Sequence, residues 1–257
     1  MKSSQSYKEE NIMNPNNMQN RTALITGSGR GVGRETAIIL AGHVENIVVC
    51  SRTKNEINEV VRDIEEISSQ VNILGEKCDV SISSQVNSLV RSAVDKFGGE
   101  SIDILVNNAG VAFDKKLVDT SEDDWDQTID TNLKGAFLIT KAVLPYMIER
   151  KSGAIVNVNS GAGKAGFRDL SSYCASKFGL AGLAESLALE VDVYNIRVMT
   201  IFLGQVATRV WRDYDYKYFE ENKNKMLSPK SVAAKIVEMI LDVKKHKNGD
   251  SVEMYYP

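Results

Sequence analysis

Histidine is scarce in this chain: two in 257 residues, His43 and His246, far apart in sequence. Neither a histidine dyad nor a histidine-built zinc site is expected. Cysteine is scarce too. Cys50, Cys78 and Cys174 fall outside any metal-like spacing, and an odd number builds no disulfide framework. Such usage fits a reducing compartment, so a cytoplasmic protein without a structural metal is expected. The formal net charge is only −3, which gives no bulk attraction for nucleic acid. No apolar run approaches the length that spans a bilayer. The opening twenty residues are polar, rich in Asn, and lack the apolar centre of a secretory signal. They are expected to be a disordered tail, residues 1–20, before a fold that begins near Arg21.

What remains has the composition of one α/β domain, with 43% hydrophobic and 25% charged residues. Short apolar runs predict strands at 22–26, 46–51, 71–80, 102–108, 153–160, 196–203 and 251–256. Helical spacing predicts helices at 33–42, 55–67, 83–98, 122–150 (as two helices) and 171–191. A last one runs from Ser228-Pro229, a sound helix start, to about Lys245. This alternation predicts a single-domain α/β fold over 21–257. Its centre is a doubly wound parallel sheet, Rossmann-like, with helices on both faces. Ligands of such sheets bind at the carboxyl ends of the strands.

The stretch "TGSGRGVGR", Thr26 to Arg34, lies between the first strand and the first helix. It does not fit G-x-G-x-x-G, because Val32 stands where the third glycine belongs and Arg34 spoils the other frame. A glycine turn leading into a helix still suits a diphosphate, through free N–H groups and the positive end of the helix dipole. The spacing Thr26-Gly27-x-x-x-Gly31-x-Gly33 resembles the T-G-x-x-x-G-x-G pattern of the short-chain dehydrogenase/reductase family. The resemblance runs from about Arg21 to Tyr256.

That resemblance implies a nicotinamide cofactor. Thr26, Gly27, Ser28, Arg30, Gly31, Val32 and Gly33 would cradle it, and Asp79 and Val80 would stand by the adenine. Asn108, Ala109 and Gly110, from the "NNAG" that starts at Asn107, would line it, and Val206 and Thr208 would sit near the carboxamide. The second strand ends "CSRTKN", with no acid for a ribose hydroxyl. Ser51 and Arg52, with Arg30, suit a 2′-phosphate instead. NADPH/NADP+ is therefore expected ahead of NADH.

Tyr173 and Lys177 stand four residues apart on one predicted helix, so both project from the same face. Ser160 ends the strand before that helix. Asn132 lies inside a helical stretch, where Asn is a mediocre former. The four match the family's tetrad residue by residue. In the roles this implies, Tyr173 donates the proton and Ser160 bonds the substrate oxygen. Lys177 acidifies the phenol, whose ordinary pKa is about 10, and holds the nicotinamide ribose. Tyr173 and Lys177 are thus cofactor contacts as well. Asn132, at a kink, would hold a water. Cys174 reads as packing, not as a nucleophile.

Two features depart from the family. Leu203 replaces the usual proline before Gly204. The C-terminal "NGDSVEMYYP" lacks the Gly-Gly ending common in 3-oxoacyl-carrier-protein reductases. A substrate lid is expected near 205–228, with Trp211, Tyr214, Tyr216, Tyr218 and Phe219 as an aromatic flap or a subunit contact. The resemblance is to such reductases and related carbonyl reductases, acting on a small carbonyl or alcohol substrate. Candidates are 3-oxoacyl thioesters, sterols, sugars, pterins and small ketones. A homodimer or homotetramer through helices 122–150 and 171–191 is implied, with no nucleic-acid or membrane partner. The alternative is a nucleotide-sensing regulatory protein without catalysis, against which an intact tetrad argues. An extended-branch epimerase would need a different glycine spacing and a longer C-terminal domain.

Overall fold

Thr22–Thr26 is a β-branched, apolar run, and it forms the fully buried strand β1. In the computed structural model, which describes residues 20–68, 70–98, 102–209 and 215–256, fourteen further elements follow it. The first half holds α1 (Gly31–Ala41), β2 (Asn46–Ser51), α2 (Lys54–Ile67), β3 (Asn72–Lys77), α3 (Ser83–Lys96) and β4 (Ile104–Asn107). The second half holds α4 (Glu122–Ile129), α5 (Gly135–Arg150), β5 (Gly153–Ser160), α6 (Ser171–Val191) and β6 (Ile196–Leu203). It closes with α7 (Tyr216–Asn222), α8 (Pro229–Leu241) and β7 (Ser251–Met254).

The seven strands form one sheet in the order β3-β2-β1-β4-β5-β6-β7, and every pairing is parallel. Strand alternation splits the core in two. Ala23, Ile25, Ile47 and Val49 face α1, α2 and α8, whose Leu40, Ile57 and Ile236 are fully buried against them. Leu24, Val48 and Leu105 face the other way, onto α3, α5 and α6 through Leu89, Ile139 and Ala188. With helices on both faces, the strands can afford to be apolar throughout. The strand order reverses between β1 and β4, and that reversal opens a crevice at their carboxyl ends.

The start of the fold is pinned by Asp103, which is buried. One carboxylate oxygen pairs with Arg21 at 2.7 Å, and the other accepts the N–H of Thr22 at 2.9 Å. Residues 1–19 of the expected tail lie outside the described residues.

Element boundaries shifted where side chains cap the chain. α8 stops at Leu241, short of Lys245, because the Asp242 carboxylate takes the N–H groups of Lys244 and Lys245. β3, β4 and β7 are shorter than their apolar runs. The stretch 122–150 is one helical run broken by a π-turn at Asp130–Lys134. Ser121 and Asp124 form a capping box at its start. Among the described residues no helix is long and apolar enough to cross a membrane. Nor do any three metal-ligating side chains cluster there.

Candidate active site

The main cleft opens at the carboxyl ends of β1 and β4, beside the start of α1. α1 has no side-chain cap and no acid in its first turn. Its first N–H groups are therefore free to meet an anion. Gly31 has φ +58, and a Cβ there would reach 3.4 Å from Thr208 Cγ2 on the opposite rim, filling the cleft. Gly33 packs more tightly still: a Cβ would lie 2.4 Å from Asn108 Nδ2 and 2.5 Å from the Gly27 carbonyl oxygen. Helix, loop and β4 are thereby drawn together. Unpaired N–H groups, the Ser51 hydroxyl and the guanidiniums of Arg30 and Arg52 make a donor set that fits a dinucleotide diphosphate.

The structure sorts the expected cofactor contacts. Gly27, Arg30, Gly31, Val32, Ser51 and Arg52 line the cleft. So do Asp79, Val80, Asn108, Ala109, Gly110 and Thr208. Thr26, Ser28, Gly33, Val206, Tyr173 and Lys177 are not among its lining residues. The Thr26 hydroxyl is buried and accepts the N–H groups of Asn108 and Ala109 at 3.0 and 3.1 Å, tying β1 to the end of β4. The Ser28 hydroxyl is fully buried and accepts the Cys50 N–H at 2.8 Å. Val206 turns into the core beside Leu227. Thr26, Ser28 and Gly33 hold the loop's shape from behind. Sequence reading missed Gly29, Thr53, Glu56, Cys78 and Thr131, which also face the cleft. An acid one turn into α2 was the available signal for Glu56.

The tetrad residues gather next to this cleft, above β4 and β5. The Ser160 hydroxyl stands near enough to the Tyr173 phenol to lower its pKa, and the Lys177 ammonium lies 5.7 Å from the Tyr173 ring centroid. Lys177 is buried and donates to the Val158 carbonyl at 3.0 Å. Burial lowers its pKa from 10.5 to about 8. Burial likewise raises the Tyr173 phenol above its ordinary value, and the neighbouring Ser160 hydroxyl works against that rise. The ammonium spends its hydrogen bond on Val158, and the group that offsets burial is the Ser160 hydroxyl.

Asn132 sits in the π-turn, almost fully buried. Its amide nitrogen donates to the Val111 carbonyl at 2.8 Å and to Ser176 Oγ at 3.0 Å. Its oxygen accepts the Val111 N–H at 2.8 Å. The expected kink is this extra-wide turn, and the side chain clamps the segment after Asn-Asn-Ala-Gly to α6. Tyr173 and Lys177 are set by a residue sequence reading passed over. Asn159 donates to the Lys177 carbonyl at 3.1 Å and accepts the Ser160 N–H at 2.8 Å. Its signal was a polar side chain in an apolar strand. Asn107 and Asn157 form a matching pair one layer down, 2.9 Å apart. Cys174 is buried and its sulfur accepts the Phe167 N–H at 3.4 Å, a packing role.

Of the lid candidates, Trp211 and Tyr214 lie outside the described residues. Tyr216, Tyr218 and Phe219 lie on α7, and the Tyr218 hydroxyl is 2.9 Å from the Gln205 amide.

Comparison with known proteins agrees with this geometry. Residues 21–218 match the family described as short chain dehydrogenase. The chain is 35% identical over 191 residues to 3-oxoacyl-[acyl-carrier-protein] reductase FabG of Thermotoga maritima, covering 74% of this chain and 76% of that one. It is 34% identical to the NADPH-dependent pterin aldehyde reductase of Arabidopsis thaliana, covering 90% and 92% of the two chains. The crystal structure of levodione reductase superposes with a TM-score of 0.85 at 27% identity, covering 93% of this chain and 97% of that one. A parallel sheet of order 3-2-1-4-5-6-7, a capless helix start over its crevice and a Ser–Tyr–Lys cluster alongside are thus a family's common plan: this chain belongs to the short-chain dehydrogenase/reductase family of oxidoreductases.

Proposed function

We propose that this protein is an NADPH-dependent carbonyl reductase, or the corresponding alcohol dehydrogenase, that uses Tyr173 as its proton donor. The observation that carries the reading is the grouping of Ser160, Tyr173 and Lys177: the serine hydroxyl influences the phenol, and the ammonium, one helical turn away, lies 5.7 Å from the tyrosine ring. The nicotinamide supplies the hydride chemistry. The rest is the work of this chain's own residues.

Arg30, Ser51 and Arg52 hold the adenosine end, and the start of α1 holds the diphosphate. Ser160 donates to the carbonyl oxygen, where negative charge grows as the carbon is reduced. Tyr173, whose raised pKa keeps it protonated at neutral pH, gives its proton to that oxygen. Lys177, with a pKa of about 8, is charged at neutral pH and steadies the phenolate left behind. Asn132 and Asn159 keep α6 and the end of β5 in register with each other. The reverse sequence oxidises an alcohol with the same groups.

The relatives named above act, by their names, on acyl-carrier-protein-linked 3-oxoacyl groups and on pterin aldehydes, and these head the substrate classes for this chain. Phe137 on α5 and Phe178 and Leu189 on α6 stand exposed, and a second copy of the chain would cover them. Light scattering would read a dimer or tetramer if it does.

NADPH absorbance followed against a panel of ketones, aldehydes and 3-oxoacyl thioesters tests the reading. Oxidation with at least one carbonyl class is expected. An inert panel, with NADPH bound, would point to the regulatory alternative.

A further inference from the structure

The end of β2 carries no acid, yet the fold delivers one to the same place. Glu56 sits in the first turn of α2 and faces the adenosine end of the cleft with Arg30, Ser51 and Arg52. Its carboxylate oxygen lies 3.7 Å from a guanidinium nitrogen of Arg30 and 4.0 Å from one of Arg209. Arg30 belongs to the glycine loop and Arg209 to the segment after β6. One carboxylate therefore joins cations from two rims of the cleft. The Gly29 backbone closes in from a third side: a Cβ there would lie 2.8 Å from Ser51 Oγ and 2.9 Å from the second Glu56 oxygen.

Two guanidiniums around one anion, with a serine hydroxyl on the same wall of the cleft, are the donors a phosphate monoester takes. Both pairs are longer than a hydrogen bond, and both arginines are about half exposed, at 52% and 53%. Such pairs are weak and exchangeable. A dianionic phosphate brings more charge to the same donors, while a neighbouring carboxylate repels it.

We propose that Glu56 is a resident stand-in for the 2′-phosphate and sets cofactor selectivity: it holds Arg30 and Arg209 in position and competes with the nucleotide's 2′-phosphate for them. The proposal rests on the cleft being a nicotinamide-dinucleotide site, as set out above. A ribose with a free 2′-hydroxyl meets an acceptor in Glu56. A ribose carrying the phosphate must first displace the carboxylate from the two arginines. The chain's preference for the phosphorylated cofactor is held down by its own side chain.

Isothermal titration of the whole chain with 2′,5′-ADP and with ADP tests this without any turnover. Glu56→Gln keeps the shape and removes the charge. It is expected to tighten 2′,5′-ADP on the order of tenfold and to leave ADP unchanged or weaker. Arg209→Gln is expected to weaken 2′,5′-ADP severalfold and spare ADP. Circular dichroism checks that both variants are folded. A ratio of the two affinities that stays within about twofold of wild type in Glu56→Gln overturns the proposal, as does equal loss of both ligands in Arg209→Gln. If the wild type binds neither fragment nor NADP+, the cofactor reading itself fails and takes the proposal with it. That result is distinct from binding with an unaltered ratio.

Discussion

The carboxyl ends of β1, β4 and β5 and the segment that follows β6 border the same end of the sheet, but they are built on different principles. The first region is a lattice of buried polar groups. Thr26, Ser28, Asn107, Asn132, Asn157 and Asn159 are all buried; Thr26, Ser28, Asn132 and Asn159 each bond backbone, and Asn107 donates to the side chains of Asn157 and Thr140. The second region presents exposed side chains. Arg209 and Tyr216 stand in solvent, and close to this segment Phe167, before α6, and Tyr255, after β7, flank Gly161 next to Ser160. Buried hydrogen bonds are costly to leave unmade, so the first region admits few alternatives. Exposed aromatics cost little to exchange. The contrast explains why one fold keeps its reaction while its substrates differ.

Changes in the buried lattice should be severe. The largest effect is expected from Gly33→Val, whose Cβ would strike Asn108 Nδ2 and the Gly27 carbonyl. Overpacking and the broken Asn108 hydrogen bonds together should cost about 4 kcal/mol, and cofactor binding should go with it. Urea unfolding and NADPH fluorescence measure both. Normal stability in this variant would mean that the close approach of α1 to β4 is not needed.

Asn132→Ala comes next. It strips partners from the Val111 N–H, the Val111 carbonyl and Ser176 Oγ in a buried site, for about 3 kcal/mol in denaturant melts. Asn132→Asp, which keeps the oxygen acceptor for Val111, should recover part of it. No recovery would argue that the π-turn backbone, not the side chain, carries the clamp.

Lys177→Met should act in the opposite sense and with a pH signature. The folded-state pKa of Lys177 is depressed to about 8 from 10.5 by burial. Below pH 8 the folded chain holds a buried charge that the unfolded chain bears in water, so the cost is fully present. It fades as pH rises between about 8 and 10.5 and is gone above that. Removing the ammonium should therefore raise stability by about 2 kcal/mol at pH 7, net of the lost Val158 hydrogen bond, and by nothing near pH 11. Thermal melts across that range decide it. A gain that does not shrink with pH would show that burial of charge is not its source.

The smallest change in stability, under about 1 kcal/mol, is expected from Tyr255→Ala in the exposed region. Its effect should appear in selectivity. A wall beside Gly161 and Gly204 would be gone, and the kcat/KM ratio between bulky and small ketones should move severalfold. An unchanged ratio would place the substrate elsewhere.

The same contrast governs what could be read from residues alone. The parallel sheet, the helix positions and the pairing of Tyr173 with Lys177 on one helix face were legible because apolar periodicity and a four-residue spacing specify faces directly. α6 begins and ends where its pattern says, at Ser171 and Val191. The roles of Thr26, Ser28 and Gly33 were not legible, since motif spacing does not tell which side of a loop a residue faces. Glu56 was missed because it reaches the cleft from a helix, through space, and not from the strand end where an acid was sought. Spacing likewise puts Lys177 near the phenol but cannot show that its hydrogen bond goes to Val158.

The central claim is that the Tyr173 hydroxyl delivers the proton during carbonyl reduction. Tyr173→Phe removes that one oxygen and keeps the ring that packs on α6. Turnover of NADPH with whichever carbonyl the wild type accepts should fall by about 10²–10⁴-fold, while the NADPH dissociation constant, measured by nucleotide fluorescence, stays within about threefold. A variant that reduces the same carbonyl at the wild-type rate would contradict the account.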